Sequence, residues 1–271
     1  MPAIQLTDRG TGATVSTESR DLTRAAVAAL GAPSILDTQP WHWRIGHDAA
    51  DLRTDRSRQL TTIDPTGRLL TISCGIALHH ARTALDATGH HTDITYLPDD
   101  ADPDLLATVR IAGTLTPTGD TVRLFRAIAA RRGDRRPFDG RPVPDDTMRR
   151  LRTTAEHHGA HLHLPGSDHL IATAVEHLDP GDTAARYAFL STDGDEPRDW
   201  LTAGEALSAV LLTATAHGLA AAILSDLVDA GSAGTTGHPV IVIGVGHPAG
   251  PHHTTPPSPR RTTHDSVDQQ L

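Results

Sequence analysis

Pro33-Ser34-Ile35-Leu36-Asp37-Thr38-Gln39-Pro40-Trp41 is the stretch on which the reading of this chain turns. Upstream, from Thr17 to Gly31, the apolar residues Leu22, Ala25, Ala26 and Ala29 recur at helical spacing, and Gly31 followed by Pro33 stops the helix. Downstream, Trp41 to Ile45 alternates like a short strand, and Asp48 begins a turn. A loop that offers hydroxyl, carboxylate and amide groups and closes on a tryptophan has the chemistry to line a planar ligand. By itself it reads equally well as a helix-terminating turn with Trp41 in the core.

Working outward, Asp64-Pro65 leads into a helix from about Leu69 to Ala87. There Ser73, Cys74 and Gly75 stand between Leu69, Ile72 and Ile76, which predicts packing on more than one side. Strands are expected at His91 to Leu97 and Leu106 to Ala112, then helices at Val122 to Ala130 and Asp145 to His158. Ala160 to Leu164 and Arg186 to Leu190 read as strands. Trp200 to His217 carries Ala203, Ala206, Leu207, Val210, Leu211 and Ala214 as an apolar stripe and is the strongest helix signal. Val240 to Val245 is a β-branched run suited to a central strand, and the tail from Pro248 is expected to be irregular. Helix then strand in Asp21 to Ile45 is faintly echoed by helix then strand in Asp146 to Leu164.

The 271 residues, 38% of them apolar, are enough for a buried core, and the low aromatic content of 3% calls for one built from aliphatic and small side chains. The net charge of −9 argues against nucleic acid as a partner. The single cysteine, Cys74, cannot form an intrachain disulfide, and the N-terminus lacks the pattern of a secretory signal, so the expected location is cytoplasmic. The apolar stretch Ser208 to Leu224 is too short and too interrupted for a membrane span, so no membrane partner is expected.

Four places have chemistry to offer. From Arg126 to Arg141 six arginines face two aspartates in an otherwise acidic chain, a pattern suited to binding a phosphate bidentately or, more blandly, to a solvated face. The second place is the loop already quoted. His217-Gly218-Leu219-Ala220 ends the long helix with a glycine that admits a close ligand or simply caps the helix. Arg260-Arg261 alone would pass as a surface pair. The histidine pairs, such as His79-His80 and His157-His158, lack ligand spacing for a metal, and none is expected. Cys74 sits in a predicted buried helix without a basic neighbour, which favours a core role over a nucleophile. Gly-x-Ser-x-Gly, phosphate-loop and dinucleotide-binding signatures are absent.

Taken in order, these places form a pattern. Ala32-Pro33-Ser34, Thr38-Gln39-Pro40-Trp41, Asp64-Pro65-Thr66-Gly67-Arg68 with Ser73-Cys74-Gly75, Arg131-Arg132-Gly133-Asp134-Arg135-Arg136-Pro137-Phe138, Asp199-Trp200 through Gly204-Glu205-Ala206-Leu207, and Arg260-Arg261 resemble the Acg-type nitroreductases of actinobacteria. The resemblance runs through nearly the whole chain. It implies an α+β, nitroreductase-like fold, a central mixed sheet flanked by helices. It also implies an internal pseudo-dimer: diverged halves at about 17–120 and 121–247 with a C-terminal arm at 248–271, together making one domain. In ordinary nitroreductases the loop and the arginine motif meet across a homodimer interface to hold FMN; here one chain would supply both.

By the same resemblance, Arg131, Arg132 and Arg135, with Arg260 or Arg261, hold the FMN phosphate and ribityl chain. Ser34, Thr38 and Gln39 approach the ribityl chain and isoalloxazine, and backbone at Gly218 and Leu219 faces the ring. Asp37 stands where the family has asparagine and is a candidate for proton handling, and Gly133 stands where it has serine or threonine. Asp179 to Asp182 forms a short turn where Acg-type chains are longer and have a lid, which implies a more open flavin face. The implied activity is an FMN-dependent oxidoreductase acting on a small organic substrate, a nitroaromatic, a quinone or a biosynthetic intermediate, with NADH or NADPH as a possible reductant. A flavin-sequestering protein and a relative that has lost FMN are the other expectations. A monomer or weak homodimer is expected, and a partner protein stays open.

Overall fold

The computed structural model describes residues 16–131, 138–164, 185–224, 237–248 and 260–269. Helix α1 (Thr17–Ala29) starts where Ser16 accepts a hydrogen bond from the Ser19 amide at 3.0 Å, and buries Leu22, Ala25, Ala26 and Ala29 as their spacing requires. The chain then passes through a 3-10 turn (Ile35–Asp37) into strands β1 (Trp41–Ile45) and β2 (Ala49–Thr54). Helix α2 (Arg68–Ala87) begins where the Asp64 carboxylate accepts from the amides of Leu69 at 3.1 Å and Leu70 at 2.9 Å, meeting two of the donors that a helix leaves open at its start. Strands β3 (His90–Tyr96) and β4 (Leu105–Thr114) and helix α3 (Gly119–Ala130) complete the first half.

The second half repeats this order. It runs α4 (Asp145–His157), β5 (His161–His163), β6 (Arg186–Thr192), α5 (Pro197–Ala216), β7 (Ala220–Leu224) and β8 (His238–Gly246). Helices α1 and α4 each have 13 residues, and α2 and α5 each have 20. The first sheet has the order β3-β4-β2-β1 and the second β7-β8-β6-β5, so strand is matched to strand. A single turn of helix α6 (Thr263–Ser266) and strand β9 (Val267–Gln269) extend the first sheet, with β9 parallel to β1. The first sheet is therefore mixed and five-stranded, and the second is antiparallel.

Helices α2 and α5 pack against each other at the centre, and two glycines set how closely. Gly75 is the eighth residue of α2 and Gly204 the eighth of α5. A Cβ on Gly75 would strike the Leu201 carbonyl, and one on Gly204 would strike the Ile72 carbonyl. Ile72 and Leu201 are each the fifth residue of their helix, so the two contacts mirror each other. The small-residue run Ser73-Cys74-Gly75 thus marks the closest approach of backbone to backbone.

Two expectations need correction, and one element had no expectation of its own. Only a turn was expected after Asp48, yet Ala49–Thr54 is a strand whose Ala50, Leu52 and Thr54 point inward. Ala220–Leu224 is a strand held by antiparallel pairing to β8. The tail was expected to be irregular throughout, and Val267–Gln269 is a strand because the open edge of β1 accepts it. In each case the deciding partner is remote in sequence.

Candidate functional site

The loop between α1 and β1 is tied by its own side chains. Ser34 Oγ accepts from the Gln39 amide at 2.9 Å, and Thr38 Oγ1 donates to the Ile35 carbonyl at 3.1 Å. From α2, Ser73 Oγ accepts from the Ile35 amide at 3.0 Å. Within this clasp Leu36, Asp37 and Gln39 hold φ of 54°, 56° and 47°, the left-handed region that residues with a side chain rarely adopt. Such a conformation costs on the order of 1 kcal/mol or more per residue and persists only where surrounding bonds enforce it. It turns Leu36 outward, leaving it 40% exposed beside Leu60. A shallow cavity there is lined by Ile35, Leu36, Leu60, Leu69 and Leu70 among others.

Two consecutive arginines of the arm reach this loop and do different things. The Arg261 amide donates to Gln39 Oε1 at 3.0 Å, and its Nη1 donates to the Trp41 carbonyl at 3.1 Å and the Gln39 carbonyl at 3.3 Å. The same Nη1 pairs with Asp55 at 3.1 Å, while Nη2 donates to the Asp265 carbonyl. Arg260 instead places Nη1 3.5 Å from Asp37 Oδ1.

Arg131, at the C-terminal end of α3, is 9% exposed, and its amide donates to the Ala127 carbonyl at 2.7 Å. Phe138 packs where a Cβ on Gly246 would stand, and the Asp139 amide donates to the His247 carbonyl at 2.8 Å. On α2 itself, His80 is completely buried. Its pKa is pushed down to about 3, first by burial, then by the charge of Arg131 and, less, of Arg260, against a raising effect of its hydrogen bond to the Ile76 carbonyl. Arg131, at the end of α3, and Arg260, in the arm, thus both lower the pKa of one imidazole.

No family model matches the chain. It is 30% identical over 306 aligned residues to a Mycobacterium tuberculosis protein named "Putative NAD(P)H nitroreductase", with 89% of each chain covered. The chain belongs to the nitroreductase family. A second Mycobacterium tuberculosis relative, named "Putative NAD(P)H nitroreductase acg", is 35% identical over 136 residues that cover 49% of this chain and 41% of that one. Among solved structures it is similar to a nitroreductase in complex with FMN from Desulfovibrio desulfuricans, with a TM-score of 0.42 and 20% identity over 52% of this chain and 93% of the other.

Within this nitroreductase-family chain, Ser34, Asp37, Thr38, Gln39, Arg260 and Arg261 come together around one loop. Gly218 and Leu219 close the end of α5 through amides that donate to the Thr215 and Ala214 carbonyls, each at 3.0 Å. Gly218 has φ 74° and open space where a Cβ would be. Arg132, Arg135, Gly133 and the Asp179 to Asp182 turn lie outside the described residues. Cys74 is buried with its thiol pKa raised by burial, and its Sγ donates weakly to the Pro40 carbonyl at 3.5 Å, which fits a core residue of this nitroreductase-family fold. No helix among the described residues is long and apolar enough to cross a membrane.

Sequence reading missed His80, Ser73 and Asp55. The doublet His79-His80 was weighed only as a metal ligand, although its position in a helix predicted to be buried on several sides was itself the signal. A histidine fully withdrawn from water needs a stated reason.

Proposed function

We propose that this chain is an FMN-dependent oxidoreductase acting on a small organic substrate. The observation that carries the reading is the convergence of Arg260 and Arg261 on the clasped loop Ser34–Gln39, in a chain whose family is one of oxidoreductases. The donor set fits the group. Guanidinium pairs match a phosphate monoester, the loop offers hydroxyl and amide groups for a polyol, and Gly218 leaves open space beside backbone for a flat ring edge. When bound, FMN supplies hydride or electron transfer through N5 of its ring.

The protein's share is then binding and orientation. Arg131 and Arg260 hold the phosphate, with Arg132 and Arg135 added from the neighbouring segment. Ser34 and Thr38 set the loop against the ribityl chain, and backbone at Gly218 and Leu219 faces the ring. Gln39 and Arg261 brace the loop from behind, since Gln39 Oε1 is already engaged by the Arg261 amide. Asp37, beside Arg260 and outward in the loop, is the group available for moving a proton. The substrate is a nitroaromatic, a quinone or a biosynthetic intermediate, and NADH or NADPH is the reductant.

The equal helix lengths and matched strand orders support a further part of the reading, that the chain is a fused, diverged pair acting as one domain. One half then presents the loop and the other the arginine segment. The test is reduction of the FMN-loaded protein by NADH or NADPH without oxygen, followed by addition of a quinone. Bleaching and return of the flavin bands are expected. A flavin that resists both nicotinamides, yet stays bound, would turn the reading to sequestration.

A further inference from the structure

We infer that Arg58 is a positioning residue: it clamps the Thr38–Gln39 peptide and so holds the loop Ser34–Gln39 in the shape that binds the cofactor. The link to the cofactor rests on the FMN reading above and deepens it.

One peptide group of the loop is fixed at both ends. Its carbonyl, on Thr38, accepts from Arg58 Nε at 2.5 Å, and its N–H, on Gln39, donates to Ser34 Oγ at 2.9 Å. Ser34 spends a lone pair on that amide and keeps its hydroxyl proton for an acceptor outside the loop. The fixed plane also sets the strain. Gln39 has φ 47° and stands before Pro40, whose ring pushes the preceding residue toward extended backbone. Thr38 has ψ −29°. Turning the peptide plane over changes ψ of Thr38 and φ of Gln39 together and brings both residues to the extended region. Gln39 is thus one peptide flip from relief, and that flip breaks the bonds to Arg58 and to Ser34 at once.

The route of the chain gives Arg58 its reach. Thr54, the last residue of β2, pairs with Trp41, the first of β1, and the Asp55 amide donates to the Pro40 carbonyl at 2.8 Å. A single 3-10 turn, Arg56–Arg58, follows, closed by the Arg58 amide donating to the Asp55 carbonyl at 3.0 Å, and it sets Arg58 beside the loop. Its neighbours have other work. Arg53 pairs with Asp102 at 2.8 Å and Arg56 with Asp104 at 2.6 Å. Among the described residues Arg58 pairs with no carboxylate, so its bond to Thr38 is no by-product of an ion pair. Arg261 holds the next carbonyl, that of Gln39, at the longer distance of 3.3 Å and shares the same nitrogen with Trp41 and Asp55.

Arg58→Gln and Arg58→Met separate the clamp from the charge. The side-chain nitrogen of glutamine lies as many bonds from Cα as Nε does, so it keeps the donor and loses the charge. Methionine keeps the length and loses both. Hydrogen exchange of the full chain, followed by NMR, reads the Gln39 amide, and quenching of flavin fluorescence reads FMN affinity. In Arg58→Met the Gln39 amide is expected to exchange at least ~10-fold faster, with the amides of α2 and β1 unchanged. FMN is expected to bind ~10-fold more weakly, as for a loop found in its binding shape about a tenth of the time. Arg58→Gln is expected to match wild type in both readouts. An unchanged Gln39 amide in Arg58→Met overturns the inference. So does faster exchange across α2 and β1, or a variant that circular dichroism finds unfolded, either of which makes Arg58 a prop of the fold. Equal loss of FMN in both variants overturns it as well, by putting the Arg58 charge on the phosphate. A freed Gln39 amide with FMN bound as tightly as in wild type overturns the link to the cofactor and leaves the FMN reading standing. A wild-type chain that takes up no FMN overturns that reading and this inference with it.

Discussion

Arg260 and Arg261 are adjacent and chemically identical, and the structure gives them separate work. Arg261 is largely withdrawn from water and satisfies two carbonyls of the loop, one of the arm and the Asp55 carboxylate. Arg261→Ala should therefore cost about 2–3 kcal/mol of stability, because the groups it leaves are partly buried. Arg260→Ala should change stability by less than about 0.5 kcal/mol while weakening FMN ~10-fold. Urea unfolding and fluorescence titration of both variants separate the two roles. Equal effects on both measurements would contradict the division. Asp37 bears on the same pair: with its carboxylate 3.5 Å from Arg260, it competes with a phosphate for that guanidinium. Asp37→Asn should tighten FMN several-fold at low salt and by less at high salt, where exposed charges are screened. A salt-independent or weakened affinity would speak against competition. Nothing in the sequence told Arg260 from Arg261, since their difference lies in which way each faces from the arm.

At the scale of elements, α2 and α5 determine the rest. The mirrored contact of Gly75 and Gly204 leaves no room for a methyl group, and the obstacle is backbone, which cannot turn aside. Gly75→Ala or Gly204→Ala is expected to cost more than about 3 kcal/mol and to give insoluble or unfolded protein, far beyond the ordinary helix gain from glycine to alanine. A soluble variant with an unchanged melting temperature would contradict the packing. The same interface holds His79 and His80, both with pKa lowered first by burial. The unfolded chain takes up protons near pH 6.5 and the folded chain does not, so this contribution is present above that pH and is lost as pH falls from about 6.5 toward 3. Unfolding free energy measured across that range should fall, and the slope should be shallower in His80→Asn. These helices were legible because a three-to-four spacing of apolar residues is a local property. Strand β7, Ala220–Leu224, was not, because alanine has little strand preference of its own and only β8 makes the segment extended.

Across the whole molecule, the faint echo between Asp21–Ile45 and Asp146–Leu164 has become a repeat of element order, helix length and strand order. Sequence hinted at it only weakly because the halves keep the positions of their elements and not their side chains. The loop after α1 runs from Leu30 to Pro40, whereas only His158, Gly159 and Ala160 stand between α4 and β5. The α+β class and the family could be read from sequence. The contact of Arg260 with Asp37 could not, because it joins two segments that only the packing of the arm against the loop brings close. The measurement that tests the account most directly is the visible absorption spectrum of the purified protein, with flavin released by denaturation, identified and counted per chain. The account predicts flavin bands and about one FMN per chain; colourless protein that takes up no FMN from an excess would contradict it.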